Sequence, residues 1–232
     1  MFKEVVLVCA AFTASVTAAQ AECLSGELKD VTPQVAVISS TAPHTYFVHG
    51  AEKTGCPSDS AACHTRAYVV PNDQVIVTGT FGAYGCAWLT NSKGVTTQNW
   101  LPIAALRMVP PAGPALEDWT GHWRTGEQDI TITRAAGDQL TVKGQATYGR
   151  FDPERVKRGA VNDGEVDGTT EPQGNRLAFN EGDNNKTLPF SDADENACRI
   201  RMSLAGPYLL AWEDRCGGVG VSFDGVYARI AR

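Results

Sequence analysis

Reactive-site residues are sparse in this 232-residue chain, and the usual catalytic spacings are missing. There is no G-x-S-x-G, no H-E-x-x-H, no phosphate-cradling glycine loop and no dinucleotide fingerprint, which removes the common signatures of hydrolases, zinc proteases, nucleotide hydrolases and dehydrogenases. No C-x-x-C pair occurs, and His64 is the only histidine beside a cysteine, so a zinc site is not expected. His44 and His49 lie five apart, a spacing that sends them to opposite faces of a strand and argues against a shared metal. His122 is read as a surface residue. Carboxylate pairs such as Asp152 with Glu154 are ordinary in an acidic chain. The expectation is a protein without metal or cofactor and without catalysis.

Positive charge is also short: 20 Lys and Arg stand against 26 Asp and Glu, for a net charge of −6. No basic stripe exists, so nucleic acid is not an expected partner. After the first residues there is no apolar run long enough to cross a bilayer, and no transmembrane segment is expected in the mature chain. The opening itself, Lys3 followed by an apolar stretch from Val5 to Val16 and small residues at Ala19 and Ala21, has the form of a secretory leader cut after Ala21. A periplasmic or secreted protein is expected.

Of seven cysteines, Cys9 leaves with that leader, and Cys23, Cys56, Cys63, Cys86, Cys198 and Cys216 remain. An even count in an oxidising compartment argues for disulfides. If two modules each close their own bridges, Cys198 pairs with Cys216. The guess for the first module is Cys56 with Cys63 across a turn-rich loop and Cys23 with Cys86, a pairing that the spacing alone leaves open.

Three prolines and a glycine fall within "VPPAGPALEDW", which can continue neither a helix nor a central strand. It divides the chain into a leader (1–21), a first module (22–109), a linker (110–116) and a second module (117–232). Short runs bounded by turn residues fill the first module: "QVAVI", "TYFV", "RAYVV", "QVIVT", "CAWL" and "QNWLPI". Pro71, Asn72 and Asp73 form the clearest turn. In the second module Ile130 with Ile132 and Leu140 with Val142 alternate around a Gly-Asp turn, and "CRIRMSL", "YLLAW" and "VGVSFDGVYAR" have strand length. Val219, Val221 and Phe223 are expected on one side of a strand that closes a barrel. The Gly, Asn and Asp-rich stretches around 155–176 and 180–198 read as long loops. The fold class is therefore all-β, with two small antiparallel barrels joined by a Pro-rich linker.

The order "RAYVVPNDQVIV", "CAWL", "TTQNWLPIAALRMV" resembles a bacterial SH3-type domain, with Trp100, Leu101 and Leu106 at matching positions and Asn99 where that family has glycine. The resemblance implies a binding module for cell-wall peptide or a protein partner. "DWTGHW" resembles the opening of lipocalin-like barrels through Gly121 and Trp123, and implies an arginine of the last strand, Arg229, laid over that tryptophan. "CGG" followed by a phenylalanine and "GVY" is similar to small exported proteins grouped with lysozyme inhibitors.

Of the tryptophans, Trp88, Trp100, Trp119, Trp123 and Trp212, most are expected in cores. Tyr84 and Trp88 are the expected exposed pair, and Tyr84, Trp88 and Trp100 the expected binding residues. The segment Asp192–Asn196 begins like a calcium loop, but Cys198, Arg199 and Ser203 break the pattern, so a solvated loop is expected. Three roles remain: an exported non-catalytic protein that binds peptidoglycan or an envelope protein, an inhibitor or immunity protein against a lysozyme-like wall hydrolase, and a carrier of a small apolar ligand.

Overall fold

The computed structural model describes residues 23, 28, 32–182, 186–192 and 197–230. The expected leader, and Asp192–Asn196 apart from its first residue, lie outside them. The first module is a seven-stranded antiparallel sheet in the order β3-β2-β6-β5-β4-β1-β7. Its strands are β1 (Gln34–Ile38), β2 (Thr45–Val48), β3 (His64–Val69), β4 (Gln74–Phe81), β5 (Tyr84–Thr90), β6 (Thr96–Pro102) and β7 (Leu106–Val109). Each grows from a β-branched or aromatic run that the sequence marks. Asp73 accepts the Val70 amide at 2.8 Å and fixes the turn into β4. After Pro102 a single 3₁₀ turn, Ile103–Ala105, redirects the chain so that β7 returns to pair with β1. Ile38, Phe47, Val75, Ala87 and Leu101 fill the core beneath.

Residues 110–115 carry no helix or strand. Helix α1 (Leu116–Trp119) then opens the second module, a nine-stranded antiparallel sheet in the order β11-β10-β9-β8-β16-β15-β14-β12-β13. The strands are β8 (Gly121–Thr125), β9 (Gln128–Arg134), β10 (Leu140–Tyr148), β11 (Asn162–Thr170), β12 (Arg176–Gly182), β13 (Lys186–Leu188), β14 (Arg199–Ala205), β15 (Tyr208–Asp214) and β16 (Gly225–Ile230), with helix α2 (Pro153–Lys157) between β10 and β11. The sheet curls into a near-barrel. Its two ends meet through side chains: Glu181 Oε1 accepts the Asp167 amide at 2.5 Å and Thr187 Oγ1 accepts the Thr169 amide at 2.9 Å. Trp119, Trp123, Ile130, Leu140, Phe179, Phe223 and Tyr227 fill the interior.

Two expectations are corrected here. The run from Val219 to Asp224 is not a strand; Val219 is 87% exposed while Phe223 is buried, and β16 begins only at Gly225. That strand does pair with β8, joining the module's first strand to its last, but the seam left open lies between β11 and β12–β13. The supposed loop "NDGEVDGTT" is β11. Its glycines face inward and its acids outward, and a Cβ at Gly168 would lie on the Phe179 ring. Glycine is required there by close packing, which a turn-residue rule misreads as a loop.

Three disulfides staple the chain: Cys23–Cys86, Cys56–Cys63 and Cys198–Cys216. The last closes 18 residues of sequence separation, and such a bridge contributes about 3 kcal/mol when unstrained. It secures the turn after β15, where two carboxylates do structural work. Glu213 Oε2 accepts the Cys216 amide at 2.9 Å, and Asp224 Oδ1 accepts the Glu213 amide at 2.8 Å. Burial pushes both carboxyls above their usual range, and Asp224 adds to the effect on Glu213.

The two sheets share a core. Ile76, Trp88 and Trp100 of the first pack in one cluster with Tyr208, Leu210 and Val226 of the second. Tyr208 Oη donates to the Gln74 carbonyl at 2.6 Å. Thr90 Oγ1 donates to the Val226 carbonyl at 2.5 Å, and a hydroxyl chain continues from Thr90 through Thr96 to Thr125. Thr90 and Thr125 are buried, so these bonds satisfy groups that water cannot reach.

Replacing Gly168 with Val is expected to destabilise the protein by about 1–3 kcal/mol through overpacking against Phe179, measured by denaturant unfolding under oxidising conditions. Stability is also expected to depend on pH in two limbs. Burial raises the carboxyls of Glu181, Glu213 and Asp224, so the folded state binds their protons more tightly, and their ionisation costs stability at neutral pH. Burial also acts upward on Glu52 and Glu127, but backbone amides outweigh it and hold both carboxyls low, so their contribution is present above the unfolded pKa and lost as pH falls through the folded one. Tm is expected to rise as pH falls from neutral toward the ordinary carboxylate range and to fall again below about 4. Glu213→Gln with Asp224→Asn flattens the first limb; Glu127→Gln weakens the second.

Candidate functional site: a groove between the two sheets

Beside the shared core, the sheets part to leave a groove of about 1130 Å³. One wall is Val35 of β1, Met108 of β7 and the linker Pro110–Pro114. The prolines have a restricted backbone and no amide donor, so this wall is stiff and largely apolar. The other wall is the outer side of β14 and β15 with Arg201 and Trp212, bordered by Arg176 of β12 and Arg229 of β16. Large pockets between modules, apolar with a few convergent polar groups, are where ligands are usually held.

Among the described lining residues the charges are one-sided. Arg176, Arg201 and Arg229 line it, against Asp118 as the single carboxylate among the described lining residues. Two of the guanidinium groups are positioned by aromatic faces. Arg201 sits opposite Trp212 in the β14–β15 ladder, with its Cζ 5.1 Å from the indole centroid and 5.9 Å from that of Phe190. Arg229 is opposite Trp123 in the β8–β16 ladder, 4.6 Å from its ring, and donates to the Asp118 carbonyl. Gly121, at φ 147°, leaves the space against which the Arg229 side chain lies. Gly121, Trp123 and Arg229 thus meet at one place. A guanidinium held beside a ring in this way loses less freedom when it meets a planar carboxylate, and it can bind one through two parallel bonds.

The residues read from sequence as the binding face are placed otherwise. Trp88 and Trp100 are 3% and 4% exposed, and both belong to the core shared with Tyr208, Leu210 and Val226. Trp88 Nε1 donates to Thr78 Oγ1 at 3.1 Å. The second module covers this face, which a reading of the first module by itself could not foresee. Tyr84 is half-buried and donates to Asp59 at 2.8 Å, fastening the Cys56–Cys63 loop to β5; burial, then the Asp59 carboxylate, push its phenol up to about 12.

Sequence reading missed an exposed aromatic ladder on the outer face of β2 and β3. His44 lies 4.2 Å from Tyr68 between ring centroids, Tyr68 lies 5.9 Å from Tyr46, and Tyr46 stacks on His64 at 4.8 Å. The alternation of His64, Arg66 and Tyr68 along β3 was the available signal. His49 turns instead to Glu52, at 3.2 Å, and His122 to Asp129, at 2.8 Å, which also binds Arg124. Among the described residues no three His, Cys, Asp or Glu side chains gather as a metal site requires. No helix among them is long and apolar enough to cross a membrane.

Compared with family models, curated proteins and solved structures, the chain matches none.

Proposed function

We propose that this is an exported, non-catalytic envelope protein that holds an extended, carboxylate-bearing cell-wall peptide in the groove between its two modules. The observation that carries the reading is the pairing of a stiff proline wall with arginines pinned on Trp212 and Trp123. An extended peptide lays its apolar parts along the prolines, Val35 and Met108, and presents carboxylates to the opposite wall. Three disulfides support an oxidising compartment outside the cytoplasm. The β4–β5–β6 meander, the single 3₁₀ turn and the return of β7 to β1 support the SH3-type resemblance of the first module. The Trp123–Arg229 stack supports the lipocalin-like resemblance of the second.

A second reading, inhibition of a basic wall hydrolase, is favoured by one observation. Asp163, Glu165 and Asp167 alternate along the outer face of β11 as an exposed acidic stripe, which would speed docking to a basic enzyme.

The mature, oxidised protein is expected to co-sediment with purified peptidoglycan sacculi, and Arg176→Glu with Arg201→Ala to reduce its affinity at least about tenfold, as loss of charge-assisted bonds demands. Failure of the intact protein to sediment sinks the wall-peptide reading. Sedimentation unchanged in the double variant retains wall binding but removes it from the groove. Inhibition of a basic muramidase, relieved by salt and by Asp163→Asn with Asp167→Asn, would instead establish the second reading.

A further inference from the structure

At one end of the second module, a group of apolar side chains stands in solvent. Tyr148 is 45% exposed, Phe151 67%, Val156 51% and Val219 87%. Tyr148 ends β10, Phe151 lies in the turn that follows, and Val156 is on α2. Val219 is brought to the same end from the loop before β16: Asn162 Nδ2 donates to the Val219 carbonyl at 2.5 Å, and Gly220 lies against the Tyr148 ring.

The turn carrying Phe151 is firmly built. Glu127 reaches across from the β8–β9 turn, and its Oε2 accepts the Thr147 hydroxyl at 2.8 Å and the Arg150 amide at 2.9 Å. Its Oε1 accepts the Phe151 amide at 3.3 Å. Asp152 caps α2, accepting from Glu154 and Arg155 at 2.9 and 3.2 Å, with Pro153 at the first helical position. Phe151 is therefore held outward by a carboxylate clamp on one side and a helix cap on the other.

Cations gather around this apolar tip. Arg150, Arg155, Lys157 and Arg158 fall within nine residues; of the carboxylates here, Glu127 and Asp152 are engaged by backbone amides, and Glu154 and Asp163 stand beside them. Arg155 stacks on Tyr148 at 4.4 Å and Arg150 lies 5.4 Å from the Phe151 ring. The acidic run Asp163, Glu165 and Asp167 climbs β11 away from this end, since Asn162 pairs with Tyr148 and Thr170 with Leu140. Cations and apolar side chains thus gather at one end, and the acidic run continues from Asp163 along β11.

From this arrangement we infer that the Tyr148–Phe151–Val219 tip is a membrane-surface anchor that docks onto anionic phospholipid. Aromatic and aliphatic side chains enter the boundary between headgroups and acyl chains, while the surrounding arginines and lysine meet lipid phosphates. Charge complementarity selects the occupant: the apolar residues suit any greasy surface, but the exposed Arg150, Lys157 and Arg158, with Glu127 and Asp152 turned onto backbone amides, suit a negatively charged one. The acidic flank then orients the molecule with this end down. The inference goes beyond the groove reading and does not rest on it, since the tip is built from other strands.

The test is flotation of the mature, oxidised protein with phosphatidylcholine vesicles prepared with and without phosphatidylglycerol. Binding is expected to the anionic vesicles, to weaken at least about tenfold on neutral ones and to fall steeply with added salt. Phe151→Ser with Val219→Ser should also cost about tenfold or more, because apolar insertion is lost, with unchanged Tm since both side chains are exposed. Arg150→Glu with Lys157→Glu should abolish binding while leaving sacculus co-sedimentation intact. No binding to anionic vesicles at low salt overturns the inference, as does binding that ignores the Phe151 and Val219 substitutions or is equal on neutral vesicles. Capture of an acidic protein at this tip while vesicles remain unbound overturns it in favour of a protein partner.

Discussion

The structure depends on the apolar seam between the two sheets. Ile76, Trp88 and Trp100 on one side and Tyr208, Leu210 and Val226 on the other form a single buried cluster, so neither module presents a finished surface without its neighbour. Burial of this kind supplies most of the favourable free energy of association and has no direction of its own. Direction comes from the hydrogen bonds at the rim. Tyr208 to the Gln74 carbonyl, and the Thr90, Thr96 and Thr125 chain to Val226, fix how the sheets meet, because sliding either one would leave buried hydroxyls and carbonyls unpaired.

The groove is a consequence of that seam. Two curved sheets that touch along one line diverge beside it, and the proline linker that connects them runs along the opening. Two arginines of its second wall, Arg201 and Arg229, are cross-strand partners of Trp212 and Trp123, so the ladder that builds the sheet also places these cations along the groove. Arg229 shows this directly: it covers Trp123 at the base of the barrel and also borders the groove. The cost of ordering a long cationic side chain is met during folding, before any ligand arrives.

Charge is arranged in space in a way that its total conceals. A net charge of −6 suggests a uniformly acidic surface, yet acids concentrate on the outer face of β11 while cations gather in the groove and around α2. The groove and the α2 end are thus two separate concentrations of cations on one acidic molecule.

Much of this was legible in the chain. Period-two alternation, turn residues and the proline run determine an all-β protein in two parts, and cysteine positions point to three bridges once each part is taken to close its own. The stretch Asn162–Thr170 was misread because glycine signals a turn when its neighbours are unknown; opposite Phe179, it signals a strand with no room for a side chain. Val219 to Asp224 was misread in the opposite sense, since alternation alone cannot show that no partner strand lies beside it. The placement of the expected binding residues was least legible. Trp88 and Trp100 have the composition of a recognition face, and nothing local records that Tyr208, Leu210 and Val226, more than a hundred residues later, cover them. Sequence determined the periodicities, because those follow from the backbone's own geometry. The tertiary structure alone decided which apolar faces meet and which arginines converge, because that depends on contacts between segments remote along the chain.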